Sequence, residues 1–323
     1  MSKEVLFSVG GSSGMGWADF LEVCQTCDEL GFHGFYPSDH LMQVQQGKGT
    51  SGQRLDAPTA MAALSGHTKR LRLGVLVMNN LFRHPVITAK MFNALDHASG
   101  GRAELGMGGG WSKPEHTVHG MDYPAFSERI ERLDEALSVI RALWTQESAS
   151  FQGKYYQLHE APMMPKPVQQ PYPPIIVGGV SDRTLRVAAK HADDWNQIEP
   201  LEEARRNIER MKAVCAEVGR DFSAMRLSVQ VPFKLSDDKA EVDAHVQRSA
   251  ANFNYGTHKV SEFYNSLEDQ VRASQLTGSV EDIKEQVAKW VEIGVNHFIL
   301  TTPRPFDRNV LEKIAGAVAP TFR

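Results

Sequence analysis

Two pairs of adjacent titratable residues could carry acid–base chemistry in this chain. Within Ser38-Asp39-His40, a carboxylate beside an imidazole could hold a polar ring edge and exchange a proton near neutral pH. The same segment could instead be a turn, with Asp39 as its cap and His40 simply exposed. Glu115-His116 could also supply acid–base groups, although a surface loop accounts for it equally well.

Two glycine-rich segments offer bare backbone to a ligand. Consecutive glycines in Gly106-Met107-Gly108-Gly109-Gly110-Trp111 would let the chain approach a flat ring or a phosphate, unless this is only a flexible loop. It is not a Rossmann fingerprint, which belongs to the first strand and the helix directly after it. Val177-Gly178-Gly179-Val180-Ser181 precedes a predicted helix, whose N-terminal amides favour an anion such as phosphate. Arg183 could add a charged contact there; the alternative is an ordinary helix cap.

Cysteine and histidine patterns do not indicate a metal site. Cys24 and Cys27 lie on the apolar face of a predicted helix, so we expect them in the core. The histidines are scattered and lack metal-ligand spacing such as HExxH, so no metal is predicted.

The elements that must position these residues alternate along the chain. Short apolar strands are each followed by a helix, and about eight such units predict a (β/α)₈ TIM barrel, with a doubly wound sheet as the alternative. Two excursions interrupt the pattern. In 145–173, Gly153 between Phe151 and Tyr155–Tyr156 predicts a small hairpin, and in 253–275 we expect a helical insertion. We expect residues 1–323 to form one domain. In a parallel barrel the strand ends and following loops meet at one face, where chemistry takes place.

Composition and charge limit the partners and the cellular location to be expected. The chain has 323 residues, 35 basic and 39 acidic side chains, and a formal net charge of −4. This balance disfavours a basic nucleic-acid surface, and no apolar run approaches the roughly 20 residues of a bilayer span. We therefore expect neither nucleic-acid nor membrane partners. Three cysteines, an odd number, and an N-terminus without an apolar signal core predict a cytoplasmic protein.

Together, these segments resemble the luciferase-like monooxygenase superfamily, and more closely its deazaflavin (coenzyme F420)-dependent oxidoreductase branch. The matching stretches are ELGFHGFYPSDH, TKRLRLGVLVMNNLFRHPVITAKMFNALDHASGGRAELGMGGGW, ERLDEALSVIRALW, FQGKYYQL, PKPVQQPYPPIIVGG, AAKHADDWN and GSVEDIKEQVAKWVEIGVNHFIL. They cover most of the chain in the expected order, which implies the barrel fold. FMN-using relatives share many of them.

The resemblance implies roles for matching positions. Asp39 and His40 match an Asp-His pair beside the reactive face of the cofactor, with His40 as the proton donor or acceptor. Leu76-Val77 matches a third-strand bulge that carries a non-proline cis peptide behind the ring, and Asn79 matches a residue at the ring edge. The remaining cofactor positions are Gly108, Gly109 and Gly110 beneath the cofactor's side chain, and Gly178 and Gly179 at its phosphate.

One position departs from the pattern. Sugar-phosphate dehydrogenases of this branch carry an acidic Glu after the glycine run, where this chain has Trp111. With Trp111 and Glu115 as candidate substrate-pocket residues, we expect a flatter or more apolar substrate than a sugar phosphate. The leading prediction is therefore hydride transfer between coenzyme F420 and a small organic substrate. The alternatives are an FMN-dependent monooxygenase and a non-catalytic flavin-binding protein, and a homodimer is an expectation of the family.

Overall fold

Eight parallel strands close into a barrel in a computed structural model of the chain, which describes residues 4–11, 15–45, 48–50, 52–252, 260–301 and 306–322. The barrel strands are β1 (Leu6–Gly10), β2 (Gly34–Tyr36), β5 (Arg72–Asn79), β6 (Ala103–Gly108), β9 (Ile175–Gly178), β10 (Asp194–Gln197), β11 (Arg226–Leu235) and β13 (His297–Thr301). Each pairs in parallel with the next, and β13 pairs with β1 to complete the ring. This closure confirms the predicted (β/α)₈ barrel and excludes the doubly wound sheet.

Within the described ranges, five further strands lie outside the ring or extend it. They are β3 (Gln43–Gln45), β4 (Lys48–Thr50), β7 (Ser148–Gln152), β8 (Gln157–Pro162) and β12 (Leu276–Gly278). β3–β4 and β7–β8 are antiparallel pairs, whereas β12 adds in parallel to the end of β11. The β7–β8 pair is the hairpin predicted inside the 145–173 excursion.

The helices cover the outside of the barrel and its loops. They are α1 (Trp17–Leu30), α2 (Ala57–Leu64), α3 (Pro85–Ser99), α4 (Lys113–Val118), α5 (Phe126–Thr145), α6 (Asp182–His191), α7 (Leu201–Glu217), α8 (Lys239–Asn252), α9 (Leu267–Ala273), α10 (Val280–Glu292) and α11 (Arg308–Lys313). In the second predicted excursion, α9 is helical as expected, while residues 253–259 lie outside the described part of the chain.

Local sequence sets where these helices begin and end. α3 starts with Pro85, whose missing amide hydrogen costs nothing in the first turn, and stops at Gly100 in the left-handed conformation. α1 ends in the same way at Gly31. Its Cys24 and Cys27 are fully buried in the main hydrophobic core, as predicted, and both carry free thiols.

The barrel interior is layered. An apolar layer contains Leu76, Ile176 and Ile299 together with the ring of Tyr36. Charged and polar side chains from the strands form a second buried group, in which the Tyr36 hydroxyl donates to Glu104 at 2.6 Å. The barrel is therefore a packed core, and a ligand must bind in the loops at its carboxyl end. Among the described residues, no helix combines the length and apolar character needed to cross a bilayer.

Candidate functional site

A cavity of about 650 Å³ opens where the barrel strands end. Its lining includes twelve of the residues that the sequence singled out for a cofactor or substrate. These residues are Asp39, His40, Leu76, Val77, Asn79, Gly108, Gly109, Gly110, Trp111, Glu115, Gly178 and Gly179. Segments far apart in the chain thus converge because parallel strands deliver their carboxyl ends to one face.

Asp39 belongs to an ion-pair triad at the end of β2. Its buried Oδ2 accepts hydrogen bonds from Arg83 at 2.7 Å and from the Asn79 amide at 3.0 Å. Arg83 also donates to Asp56, the N-cap residue of α2. Burial raises the pKa of Asp39, and the pair with Arg83 offsets this only in part. The triad ties three loops together, and Asp39 is occupied by structural contacts.

His40 forms a dyad with Glu115. Its Nδ1 lies 2.8 Å from Glu115 Oε2, and the other carboxylate oxygen accepts the amides of Leu41 at 2.8 Å and Met42 at 3.3 Å. Burial alone would raise the pKa of Glu115, but the hydrogen bonds from His40 and the two amides outweigh it and hold that pKa below its ordinary value. The carboxylate of Glu115 is therefore held in place against Nδ1 of His40.

Bare backbone and one valine form the floor of the cavity. The Leu76–Val77 peptide is cis, and the pairing of β5 with β6 shifts register between Val75 and Met78. A Cβ on Gly108 would lie 2.7 Å from Val77 Cγ2, and one on Gly178 would lie 3.5 Å from Val77 Cγ1. The half-buried Val77 thus sits between Gly108 and Gly178, and a side chain at either glycine position would occupy the floor of the cavity.

Asn79 is fixed by its neighbours at the rim. Its Oδ1 accepts the Leu81 amide at 3.0 Å, and its Nδ2 lies 3.4 Å from Nε2 of the buried His116. His116 Nδ1 donates to the Ser112 carbonyl at 2.9 Å, which leaves Nε2 as an acceptor. Gly110, at φ +74°, passes so close that a Cβ there would lie 2.5 Å from Asn79 Oδ1. The glycine run is therefore a packed loop, in contrast to the flexible alternative.

The predicted anion site differs in detail from the expectation. The Gly179 amide donates to the Asn196 carbonyl at 3.1 Å, so this amide faces the neighbouring strand. Ser181 caps α6 by accepting the Thr184 amide at 3.2 Å. Arg183 is exposed and is not among the residues that line the cavity, which contradicts the expected charged contact. The Gly179 amide is therefore not the one that a phosphate would use, and the backbone between Gly179 and the first turn of α6 is the part that faces the cavity.

Large apolar side chains surround the mouth. Trp111 is 58% exposed, Phe126 46% and Ile198 64%, and all three line the cavity. The Trp111 ring meets His40 edge-to-face with 5.5 Å between centroids. Among the described lining residues, Arg54 is the only lysine or arginine, and it donates to Ser38 Oγ at 3.0 Å. The mouth therefore favours an apolar ligand surface over a dianion.

The residues present suit a flat cofactor with a phosphate-bearing tail. A glycine floor would admit a ring, and the helix start of α6 lies at one end of the cavity. The lining residues include buried polar atoms, Ser112 Oγ and Gln197 Oε1, that have no hydrogen-bond partner within the described part of the chain. Each could hydrogen-bond to a bound ligand.

Several contributing residues were not found from the sequence. Neither the pairing of Arg83 with Asp39 and Asp56 nor the contact between Asn79 and His116 was predicted. Glu115, a predicted substrate-pocket residue, lines the cavity, and its hydrogen bond to His40 was not predicted. Only the position of Arg83 shortly after a strand hinted at such a contact. The partners lie 27 to 75 positions apart, so spacing cannot reveal them.

Fold and cavity define a (β/α)₈ barrel protein with a ligand site at the carboxyl end of its strands. The luciferase-like monooxygenase family model matches residues 5–297, and the chain belongs to this family. A relative from Intrasporangium calvum named F420-dependent glucose-6-phosphate dehydrogenase is 27% identical, with 92% of each chain covered.

Solved structures show the same fold. An F420-dependent secondary alcohol dehydrogenase in complex with an F420–acetone adduct superposes with a TM-score of 0.83 at 21% identity, covering 99% of this chain and 100% of the other. A monooxygenase from Streptomyces bottropensis gives 0.79 at 20% identity, covering 98% and 100%. At these sequence identities the structural matches establish only the barrel architecture. The chemistry must be inferred from the residues of the site.

Proposed function

We propose that this protein is an F420-dependent oxidoreductase that moves a hydride between the deazaflavin and a carbon of a small organic substrate. The observation that carries the proposal is one cavity in which a floor of glycines and Val77 lies beside the His40–Glu115 dyad. Support for the cofactor comes from the relative named F420-dependent glucose-6-phosphate dehydrogenase, which is aligned over 92% of both chains.

Each part of the cavity has a task in this reaction. The glycine loop 108–110 and Val77 would hold the ring, Asn79 its edge, and amides at the start of α6 its phosphate. Coenzyme F420, when bound, supplies the carbon that accepts or donates the hydride. His40 takes the proton from a substrate hydroxyl during oxidation and returns it to the carbonyl oxygen during reduction. The surrounding loops orient the substrate and exclude water.

The mouth of the cavity points to an uncharged, apolar substrate such as a ketone or secondary alcohol with a flat or hydrophobic substituent. Trp111, Phe126 and Ile198 offer apolar surface, and Arg54 is the only cationic side chain among the described lining residues. Trp111 stands where the resemblance implies a Glu in sugar-phosphate enzymes. We therefore do not extend the relative's glucose-6-phosphate to this chain.

The proposal also includes a cytoplasmic setting, a single domain over residues 1–323, and a homodimer. Light scattering of the purified protein measures the last of these, and a monomer at micromolar concentration would contradict it.

Side-by-side titration of the purified protein with F420 and FMN tests the cofactor. We expect tighter binding of F420, followed by loss of its oxidised absorbance when a secondary alcohol is added in a single turnover. Binding of FMN alone, with oxygen consumed when the flavin is reduced, would establish the monooxygenase alternative. Binding of either cofactor without turnover of any alcohol or ketone would favour a non-catalytic flavin-binding protein.

A further inference from the structure

We propose that Glu115 is the positioning residue of the reaction: it holds His40 in the tautomer that carries its proton on Nδ1, so that Nε2 exchanges the substrate proton. This inference rests on the proposed function for its kinetic consequences. Its structural content, the tautomer of one imidazole, stands without any cofactor.

The carboxylate of Glu115 has no freedom to turn away. Its side chain is 1% exposed, Oε1 accepts the amides of Leu41 and Met42, and Oε2 accepts His40 Nδ1 at 2.8 Å. Three donors on one carboxylate favour its ionised form, and the lowered pKa of Glu115 agrees. An ionised carboxylate only accepts hydrogen bonds, so Nδ1 of His40 must be the donor.

The tautomer follows from this contact. A neutral His40 with its hydrogen on Nδ1 has its lone pair on Nε2, and a protonated His40 carries a donor there. Nε2 is then the atom available to a substrate oxygen, while the edge-to-face contact with Trp111 restricts the ring from another side. Glu115 acts on the reaction only through His40, since its own oxygens are occupied.

The other charged groups around His40 form ion pairs or hydrogen bonds with residues other than His40. Asp39 precedes it in the chain but pairs with Arg83, which also pairs with Asp56. Arg54 lines the same cavity and donates to Ser38. Among these described groups, Glu115 is the one with a hydrogen bond to the imidazole. Replacing Glu115 should therefore disturb the hydrogen bonding of the imidazole more directly than replacing any of the others.

Glu115→Gln tests the inference without changing side-chain size. The glutamine carbonyl oxygen must serve the amides of Leu41 and Met42, so its NH₂ group would face Nδ1 and force the hydrogen of His40 onto Nε2. We expect kcat to fall by about 10²-fold or more, within the range of lost acid–base catalysis. The midpoint of the pH–rate profile should move to lower pH by about 1–3 units, the shift that an adjacent opposite charge produces.

Three comparisons separate positioning from a merely structural role. Glu115→Asp keeps the charge and should return the midpoint towards the wild-type pH even if its shorter reach leaves kcat low. Glu128→Gln, on an exposed carboxylate of α5 that pairs with Arg132, should leave rate and profile unchanged. In a His40→Ala background, Glu115→Gln should cost less than about threefold in rate, because residues acting as one unit are non-additive.

Ring ¹⁵N spectra of the cofactor-free protein test the tautomer directly, with His40 assigned by its loss in His40→Ala. Hydrogen on Nδ1 in the wild type and on Nε2 in Glu115→Gln supports the inference. Hydrogen on Nε2 in the wild type, an unmoved pH midpoint, or full additivity in the double variant would each overturn it. If the tautomers are as expected but F420 neither binds nor turns over, the proposed function is refuted, whereas the inference that Glu115 sets the tautomer of His40 is supported.

Discussion

Replacing Gly110 with alanine should disturb the site through one contact that can be isolated by a matched control. Gly110 has φ +74°, and a Cβ there would lie 2.5 Å from Oδ1, 3.0 Å from Cγ and 3.1 Å from Nδ2 of Asn79. Gly120 has nearly the same backbone, φ +66°, but a Cβ there would meet nothing within 4 Å. Gly110 and Gly120 therefore share the left-handed conformation, but only Gly110 closely approaches another side chain, that of Asn79.

The magnitudes follow from this difference. The left-handed conformation costs an alanine about 1–2 kcal/mol at either site. At Gly110 the side chain of Asn79 must also move, which breaks its hydrogen bonds with the Leu81 amide and with His116. Leaving a buried polar group unsatisfied costs about 1–3 kcal/mol. Gly120→Ala should lower the free energy of unfolding by about 1–2 kcal/mol, and Gly110→Ala by about 2–5 kcal/mol.

Urea unfolding of both variants and the wild type measures these differences, and F420 titration supplies a second measurement. Gly110→Ala should weaken F420 binding because Asn79 leaves the ring edge, whereas Gly120→Ala should bind as the wild type does. Equal losses of unfolding free energy at the two sites, with unchanged F420 affinity, would refute the packed-loop description of the glycine run.

Three further outcomes are expected. His40→Ala should lower the single-turnover hydride-transfer rate by about 10²–10⁴-fold while F420 affinity stays within about threefold; a parallel loss of both would make the ring a packing group. Trp111→Ala should lower kcat/KM about 2- to 12-fold for an aromatic ketone but not for acetone, and equal losses would remove Trp111 from substrate contact. Burial alone would raise the pKa of Glu104, but His33, Arg226 and Arg72 hold it well below 4.5. Since the folded-state pKa is the lower one, this carboxylate's stabilisation is present above about pH 4.5 and lost as the pH falls through the folded value. Glu104→Gln should therefore lower the unfolding free energy at pH 7 and flatten its acid dependence, and an unchanged acid slope would contradict that ion cluster.

The alternation of apolar strands and amphipathic helices predicted parallel strands that are each covered by the following helix. About eight such units favoured the barrel, and the pairing of β13 with β1 excluded the doubly wound sheet. The hairpin predicted inside the 145–173 excursion is also confirmed, because its signal was local: Gly153 between Phe151 and Tyr155–Tyr156. Family membership is confirmed by the match over residues 5–297. In the Leu76–Val77 segment the resemblance anticipated a cis peptide that no residue pattern reveals, and the structure contains it.

Contacts between loops were decided by tertiary structure alone. The sequence marked Asp39, His40 and Glu115 as candidates, but it could not show that Asp39 pairs with Arg83 while His40 pairs with Glu115. Likewise, the sequence showed the glycines before α6, but it could not show that the Gly179 amide donates a hydrogen bond to the Asn196 carbonyl. Strand and helix periodicities report which face of an element is buried, and that is a local property of the chain. Which side chains from separate loops meet depends on strand order and register around the barrel, because closure brings together residues that no local spacing relates.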